Sequence, residues 1–354
     1  MAESNRMLAA TYTQGGTFSI EDVPVPEIES DEILLRVRAA AICGTDTRIA
    51  HSGHSKLVEG QRIVLGHEFV GIIERLGARV AQYKVGQRVG VAPNAGCGHC
   101  HACTSGRSNY CPAYTAFGID RDGGQAPYVR IPGRFVTQGN VIALPEEVSD
   151  MDAALLEPLS CVVNCIRVSQ IELGDTVVIY GVGPMGLIHV MLCRIAGAAR
   201  IIVVDPLAHR LEKSRQLGSD MTLNPSEDDV VARIQHATGG RGANVVIAAC
   251  PIPSVQAEAL RVLAPFGRLS LFGGLPKKTG PVGLDTNLVH YGNLLITGST
   301  GGSVEDYSIA LKLVSGQRVK LSRIVSDVFQ LDNLRQGYDK ALSGAEGKVV
   351  LVAE

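Results

Sequence analysis

The sequence has no long apolar run, no excess charge of either sign and no block of basic residues. Without a stretch of eighteen apolar residues it offers no transmembrane helix, and its first residues, MAESNRMLAATYTQ, lack the charged start and apolar stretch of an export signal. Its 33 basic residues balance 35 acidic ones, so no surplus is left to neutralise a phosphate backbone. We therefore expect a cytoplasmic protein that binds neither membranes nor nucleic acid.

Internal repeats and low-complexity tracts are also absent, and 354 residues exceed the size of one ordinary domain. Residues 7–150 contain short β-branched segments broken by Gly and Pro, such as DEILLRVRAAAI, which predict an antiparallel, β-rich domain. From about residue 157 to 297, strand-like runs such as ANVVIAA and GRLSLFG alternate with helical stretches. This alternation predicts a doubly wound parallel sheet, and hence a two-domain protein of the α/β class.

Four of the nine cysteines lie in residues 96–112, GCGHCHACTSGRSNYCP, with the spacing C-x2-C-x2-C-x7-C. In a reducing compartment such a cluster favours metal binding over disulfides, and the Gly/Ser/Asn-rich sequence around it has no apolar core. Four thiolates with no open position are typical of structural zinc, although a four-iron cluster or surface thiols would also fit these residues. The predicted ligands are Cys97, Cys100, Cys103 and Cys111.

A second set of donors lies upstream, in AAICGTDTRIAHSGHS and VLGHEFVGIIERLGARV. Cys43, His67 and Glu68 offer a thiolate, an imidazole and a carboxylate, which together suit a zinc ion with a position open to water or substrate. Taken singly, each residue has an ordinary alternative. A lone Cys after an apolar run is usually a core thiol, and an isolated His-Glu pair usually lies at the surface.

Residues 176–205, TVVIYGVGPMGLIHVMLCRIAGAARIIVVD, read as strand, glycine-rich turn, helix and strand. The G-x-G-x-x-G turn, followed by Asp205 nineteen residues after Gly186, forms a dinucleotide-binding fingerprint, with pyrophosphate at the helix N-terminus and ribose on the carboxylate. An acid at Asp205 would repel a 2′-phosphate, which favours NAD over NADP, while Arg210 weakens that preference. The predicted cofactor residues are Gly181, Gly183, Pro184, Met185, Gly186, Asp205 and Arg210.

The stretch GHEFVGIIERLGARV fits the zinc-containing alcohol dehydrogenase signature G-H-E-x2-G-x5-G-x2-V, from Gly66 to Val80. With CGTD, the four-cysteine segment and GVGPMG in the same order, the chain resembles the zinc-dependent medium-chain alcohol dehydrogenases, in their sorbitol (L-iditol) and threonine dehydrogenase branch. The resemblance implies a GroES-like catalytic domain at 1–156 and 298–354 and a Rossmann NAD-binding domain at 157–297. It also implies two zinc ions per chain and a homo-oligomer, either tetramer or dimer.

Carried over position by position, the resemblance makes Cys43 and His67 ligands of a catalytic zinc. Glu68 resembles an acid that binds the metal in the polyol branch or lies just behind it elsewhere. Glu157, in an EPLS motif, stands where simple alcohol dehydrogenases have a third cysteine ligand. A carboxylate there could bind zinc directly or through water.

Four further positions bear on the chemistry that the resemblance implies. Asp46 resembles the acid that fixes the tautomer of the zinc-bound His67, and Thr45 matches the hydroxyl that passes the substrate proton outward. Arg48 replaces a histidine common to both branches; it could pair with a carboxylate or phosphate of the substrate, or simply be an exposed arginine. Asn94 replaces a histidine that threonine dehydrogenases carry.

These residues predict a zinc-dependent enzyme that transfers a hydride between NAD and a secondary hydroxyl of a polyol or sugar derivative. Threonine-type oxidation of an amino alcohol is the runner-up. A family member that binds zinc and nucleotide without turnover is the remaining alternative. Against it stands the presence of six catalytic-site residues: Cys43, Thr45, Asp46, His67, Glu68 and Glu157.

Overall fold

The computed structural model describes residues 6–276 and 278–353 and divides into two compact units. Unit 1 comprises Met1–Ser160 and Gly301–Glu354, and unit 2 comprises Cys161–Thr300. The boundaries expected from the sequence, after residues 156 and 297, fall slightly before these. Glu157 consequently lies in unit 1.

Short strands and helices alternate along the described residues. The strands are β1 (Arg6–Thr13), β2 (Phe18–Pro24), β3 (Ile33–Ile42), β4 (Arg62–Val64), β5 (Glu68–Leu76), β6 (Arg88–Val91), β7 (Asn94–Ala95), β8 (Thr115–Ala116), β9 (Tyr128–Ile131), β10 (Val141–Ala143), β11 (Thr176–Tyr180), β12 (Arg200–Val204), β13 (Met221–Leu223), β14 (Ala243–Ala248), β15 (Leu263–Leu271), β16 (Leu295–Gly298), β17 (Val325–Gln330) and β18 (Lys348–Val352). The helices are α1 (Gly44–Ser52), α2 (His101–Thr104), α3 (Gly133–Thr137), α4 (Asp150–Ala154), α5 (Leu156–Ser169), α6 (Pro184–Ala196), α7 (Ala208–Leu217), α8 (Val230–Ala237), α9 (Pro253–Glu258), α10 (Thr286–Gly292), α11 (Val304–Ser315) and α12 (Leu334–Leu342). Single 3₁₀ turns occur at Ser108–Tyr110, Ala259–Val262, Leu321–Ile324 and Leu331–Asn333. Among the described residues, no helix has both the length and the apolar character that a membrane span requires.

Unit 1 is built around a seven-stranded sheet in the order β10-β6-β5-β3-β18-β17, with β9 beside β3, and a smaller sheet in the order β2-β1-β4. Its strand pairs are antiparallel except β17 with β18. Strand β3 is central and reads as a nearly continuous apolar run, ILLRVRAAAI, because it is buried along most of its length. In the core of this unit, the ring of Phe117 packs between the rings of Phe69 and Phe135. The β-rich character expected for this part of the chain is confirmed.

Unit 2 contains a six-stranded sheet in which every neighbouring pair is parallel, in the order β13-β12-β11-β14-β15-β16. Numbered within the unit, this order is 3-2-1-4-5-6, the doubly wound arrangement of a Rossmann fold. The strand order reverses between β11 and β14, and open α/β sheets bind their ligands at such a point. The predicted parallel sheet is confirmed, and the glycine-rich turn follows β11 directly.

Candidate active site

Three of the four predicted ligands of a catalytic zinc come together in unit 1. Cys43 caps α1 immediately after β3, while His67 precedes β5 and Glu68 begins it. One ligand atom from each residue lies within 4.8 Å of the other two. The antiparallel register sets Ala41 of β3 opposite Glu68, so sheet pairing brings the two strand ends together. The described residues thus hold a compact thiol, imidazole and carboxylate group.

Asp46 connects the two segments that carry these ligands. It lies in the first turn of α1, fully buried, and its Oδ2 accepts a hydrogen bond from the backbone N–H of Cys43 at 2.9 Å. Its Oδ1 lies 3.3 Å from Nδ1 of His67, and neither of these two atoms has a hydrogen-bond partner among the described residues. With Nδ1 facing the carboxylate, Nε2 of the ring is left for a metal.

The electrostatics of this group favour a cation. Burial alone would lower the pKa of His67, but the negative charges of Asp46 and Cys43 outweigh burial and raise that pKa well above its ordinary value. A divalent cation held by Cys43 and His67 would compensate the same negative charges while the imidazole stays neutral. A thiolate, an imidazole and a carboxylate oxygen are ligands that zinc prefers, so the residues present fit this ion.

Glu68 is paired with Lys348, the first residue of β18. Nζ of Lys348 donates to both carboxylate oxygens of Glu68, at 2.5 and 2.7 Å, and both side chains are buried. Burial alone would lower the pKa of Lys348, but Glu68, together with Cys43 and Glu157, raises it, so the side chain remains an ammonium. Glu157 is itself buried on α5 but does not belong to the compact donor group among the described residues.

Thr45 and Arg48 lie one helical turn apart on α1. Nη2 of Arg48 donates a hydrogen bond to Oγ1 of Thr45 at 3.1 Å, and the arginine is exposed whereas the threonine is half-buried. A guanidinium does not lose its proton in proteins. The Thr45 hydroxyl therefore has a permanently charged neighbour in place of a titratable base.

The four cysteines of the second predicted site also converge. Their sulfur atoms lie 3.6 to 4.0 Å apart where pairs are in contact, close to the roughly 3.8 Å edge of a tetrahedron with Zn–S bonds of about 2.3 Å. The N–H of Cys97 donates to Sγ of Cys111, and the N–H of Cys100 donates to Sγ of Cys97. Backbone hydrogen bonds lower the pKa of Cys97 to about 6, whereas burial raises that of Cys103 to about 11. The geometry is compatible with a closed, structural zinc site.

Two of the three glycines in the turn after β11 are required because a side chain there would clash with neighbouring atoms. Gly181 has a φ of +87°, and a Cβ there would lie 2.8 Å from Cβ of Cys250. A Cβ on Gly186 would lie 2.0 Å from the carbonyl oxygen of Gly181, so this glycine allows α6 to pack against the turn. An added Cβ on Gly183, the N-cap of α6, would lie 3.8 Å from Nη1 of Arg210, an ordinary van der Waals contact.

Pro184 and Met185 begin the first turn of α6, directly after Gly183. Pro184 occupies the start of the helix, where its missing N–H costs nothing, and the carbonyl of Met185 bonds to Nδ1 of His189 at 2.8 Å. Both residues therefore shape the turn through the backbone.

Asp205 anchors the same turn from the end of β12. Its two oxygens accept backbone hydrogen bonds from Val182 and Leu207, each at 2.9 Å, and Nη1 of Arg210 lies 3.8 Å from Oδ2. The carboxylate is almost fully buried and keeps lone pairs that these two bonds do not use. An anionic side chain is thus fixed beside the glycine-rich turn, partly neutralised by one arginine.

Comparison with known proteins identifies the family of this chain. The family models of the alcohol dehydrogenase GroES-like domain and of the zinc-binding dehydrogenases match residues 29–145 and 184–316. L-threonine 3-dehydrogenase of Bacillus subtilis (strain 168) is 33% identical over 357 aligned positions, covering 99% of each chain. The chain belongs to the zinc-dependent medium-chain alcohol dehydrogenase family.

Solved structures of other dehydrogenases agree with the fold. A protein of Sinorhizobium meliloti 1021, described as a zinc-binding dehydrogenase and bound to NADP, has a TM-score of 0.90 at 30% identity and covers 99% of this chain and 100% of its own. An alcohol dehydrogenase of Escherichia coli CFT073 complexed with NADH has a TM-score of 0.88 at 27% identity, with coverage of 99% and 100%. The similarity therefore spans both units.

Within this dehydrogenase, the sequence pattern did not reveal three buried polar residues near the site. They are Lys348, Gln125 and Tyr338. Lys348 had a weak signal, since it is the charged first residue of an otherwise apolar strand, KVVLV. Gln125 follows two glycines and Tyr338 lies on a short amphipathic helix, and neither position marks a polar function by itself.

We expect that each of the two metal sites can lose its zinc without affecting the zinc of the other site. We expect two zinc ions per wild-type chain, and one each in Cys43→Ser and Cys100→Ser, because the two cysteines belong to different donor groups. Metal analysis after dialysis measures the content, and circular dichroism measures the melting temperature. Cys100→Ser should melt earlier because its segment loses the only core it has, whereas Cys43→Ser should keep the wild-type fold. Full zinc content in both variants would contradict the assignment.

The buried ion pair predicts a large stability effect. Lys348→Met leaves the Glu68 carboxylate buried without its partner, and we expect the free energy of unfolding to fall by about 3–5 kcal/mol. Lys348→Arg keeps the charge and is the matched control, with a smaller loss. Urea denaturation at neutral pH measures both. Equal stability of Lys348→Met and the wild type would show that the pair contributes no net stabilisation.

Proposed function

We propose that this dehydrogenase transfers a hydride from a secondary hydroxyl of a polyol or sugar derivative to NAD. The observation that carries the proposal is the compact group of Cys43, His67 and Glu68, oriented by Asp46 and accompanied by the Thr45 hydroxyl. A zinc ion at these residues supplies a Lewis acid that makes the substrate hydroxyl more acidic. The dinucleotide motif in unit 2 supports a nicotinamide cofactor as hydride acceptor.

Thr45 moves the substrate proton in this proposal. Its Oγ1 already accepts a hydrogen bond from Arg48, which leaves a second lone pair for the substrate O–H and its own proton to pass onward. Arg48 cannot accept that proton, so the proton leaves to water. The positive guanidinium stabilises negative charge that develops on the neighbouring oxygen during the transfer.

Arg48 also supports the choice of substrate class. An exposed guanidinium next to the reacting group suits a carboxylate or phosphate on a sugar acid or sugar phosphate, which it can bind with two parallel hydrogen bonds. Threonine carries a carboxylate that this guanidinium can also bind, but its ammonium group would bring a like charge close to Arg48. Oxidation of threonine remains the second candidate because of the 33% identity to a threonine 3-dehydrogenase.

NAD is proposed as the cofactor because of Asp205. A 2′-phosphate would meet its buried carboxylate, whereas ribose hydroxyls can donate to it. Arg210, 3.8 Å from that carboxylate, lessens the repulsion. Of the two structural neighbours described above, one is bound to NADP and the other to NADH, so this fold accommodates either cofactor.

The cellular setting follows from the same residues. The cysteines of both metal-ligating groups are outside disulfides, which is typical of a reducing compartment and supports a cytoplasmic location. Strand β16 lies at one edge of its sheet and exposes Leu295, with Tyr291 of α10 exposed nearby in the chain, which supports a homo-oligomer.

The proposal is tested by following NADH absorbance with zinc-loaded protein. The substrates are linear polyols, inositols, sugar acids, sugar phosphates, threonine and simple alcohols. We expect turnover with a polyol or sugar derivative and none with Cys43→Ser. Turnover with threonine alone would favour the second candidate, and no turnover with any substrate while both zinc ions are bound would favour a binding protein.

Changing Arg48 tests the substrate class. In Arg48→Gln we expect KM for a sugar acid or sugar phosphate to rise roughly ten- to hundredfold, the effect of losing one charged hydrogen-bonding partner. KM for an uncharged polyol should change little, and Arg48→Lys should fall between. The same KM for anionic substrates in Arg48→Gln and the wild type would remove Arg48 from substrate binding.

Changing Asp205 tests the cofactor preference. In Asp205→Asn the ratio of kcat/KM for NADP to that for NAD should rise about tenfold, because the repulsive charge is lost while one backbone acceptor is kept. Arg210→Gln should shift the ratio the other way, since it removes the neutralising cation. An unchanged ratio in both variants would mean that other residues select the cofactor.

A further inference from the structure

Behind the proposed metal ligands lies a buried amide that contacts both segments of the site. Gln125 is fully buried, and its Nε2 donates to Oδ2 of Asp46 at 3.0 Å and to the carbonyl of Ala41 at 3.3 Å. Asp46 Oδ2 thus receives a second hydrogen bond in addition to that from the Cys43 N–H. The amide has two acceptors on one side, which fixes its orientation with Nε2 toward the carboxylate.

Gln125 also packs on the turn that carries His67. Gly66 has a φ of +97°, and a Cβ there would lie 2.6 Å from Cγ of Gln125. The backbone N–H of Gln125 donates to the carbonyl of Leu65 at 3.0 Å. One side chain therefore touches the chain just before His67 and also holds the acid that faces His67.

Tyr338, from α12, completes the arrangement. It is fully buried and its hydroxyl donates a hydrogen bond to Oε1 of Gln125. Burial, and then the negative charge of Asp46, raise the pKa of Tyr338 well above its ordinary value, so the hydroxyl stays a donor. Donors then point in one direction, from Tyr338 through Gln125 to the carboxylate of Asp46.

We propose that Gln125 and Tyr338 are positioning residues that hold Asp46, and through it His67, in the orientation that binds the catalytic zinc. The proposal rests on the function proposed above, because it assumes zinc at Cys43 and His67. Without the amide, Asp46 keeps only the Cys43 N–H on Oδ2, and the carboxylate can turn away from the imidazole. Loss of such an outer partner typically weakens metal binding about 10- to 100-fold.

Zinc affinity measured by competition with a chelator tests this directly. Gln125→Met keeps the side-chain volume and removes the amide. In this variant we expect the zinc at Cys43 and His67, which is the one that Cys43→Ser lacks, to bind about 10- to 100-fold less tightly. Tyr338→Phe removes one hydroxyl without leaving a large cavity, and we expect a smaller effect of the same sign. The zinc of the four-cysteine site should be unchanged in both variants.

Tyr83→Phe is the matched control. Tyr83 also lies in unit 1 and its hydroxyl donates to the carbonyl of Val141 at 2.9 Å, without contact to Asp46. Its zinc affinities should equal those of the wild type. If Gln125→Met fails to fold, Tyr338→Phe still gives the answer.

The outcomes separate the positioning role from the proposed function. Wild-type affinity at both sites in Gln125→Met and Tyr338→Phe would overturn the positioning role alone. An equal loss in Tyr83→Phe would reduce it to a general effect of destabilising unit 1. A wild-type chain that binds only the zinc of the four cysteines would overturn the proposed function and, with it, this inference.

Discussion

The buried carboxylate of Asp46 ties the start of α1 to the turn before β5. One of its oxygens fixes the N–H of Cys43 and the other faces the imidazole of His67. Cys43 and His67 belong to segments that are also joined by the register of β3 against β5 and by the hydrogen bonds of Gln125. Asp46 is the side chain that contacts both the Cys43 backbone and the His67 ring, on whose relative position the proposed chemistry depends.

The same region contains more negative than positive charge. Asp46, Glu68 and Glu157 are buried, Cys43 is half-buried, and the buried ammonium of Lys348 pairs with Glu68. Burying negative charge is costly, so a divalent cation at Cys43 and His67 would offset part of that cost.

Features with a local signature could be predicted from the sequence. The glycine-rich turn with Asp205 and the four-cysteine segment depend on spacings along a short stretch, and both take the expected form. Lys348 and Tyr338 could not be predicted, because their partners Glu68 and Gln125 lie 280 and 213 residues away in the chain. Lys348 and Glu68 meet because β18 and β5 both pair with β3, and Tyr338 reaches Gln125 because α12 packs on the same sheet. Glu157 shows a different limit of sequence analysis. A matching motif predicted it as a zinc ligand, but the motif does not fix its distance from the other donors.

Strand β18 lies between β3 and β17, in the interior of the larger sheet of unit 1, although it is the last strand of the chain. On the ribosome, the residues of unit 2 emerge as one uninterrupted segment and can form their parallel sheet early. Strand β3 can pair early with β5 and β9, but its other neighbour, β18, follows unit 2 in the chain. The ion pair of Glu68 with Lys348 consequently forms only after the residues of unit 2 have been made, and a chain truncated before residue 348 would contain every proposed zinc ligand in a sheet that lacks an inner strand.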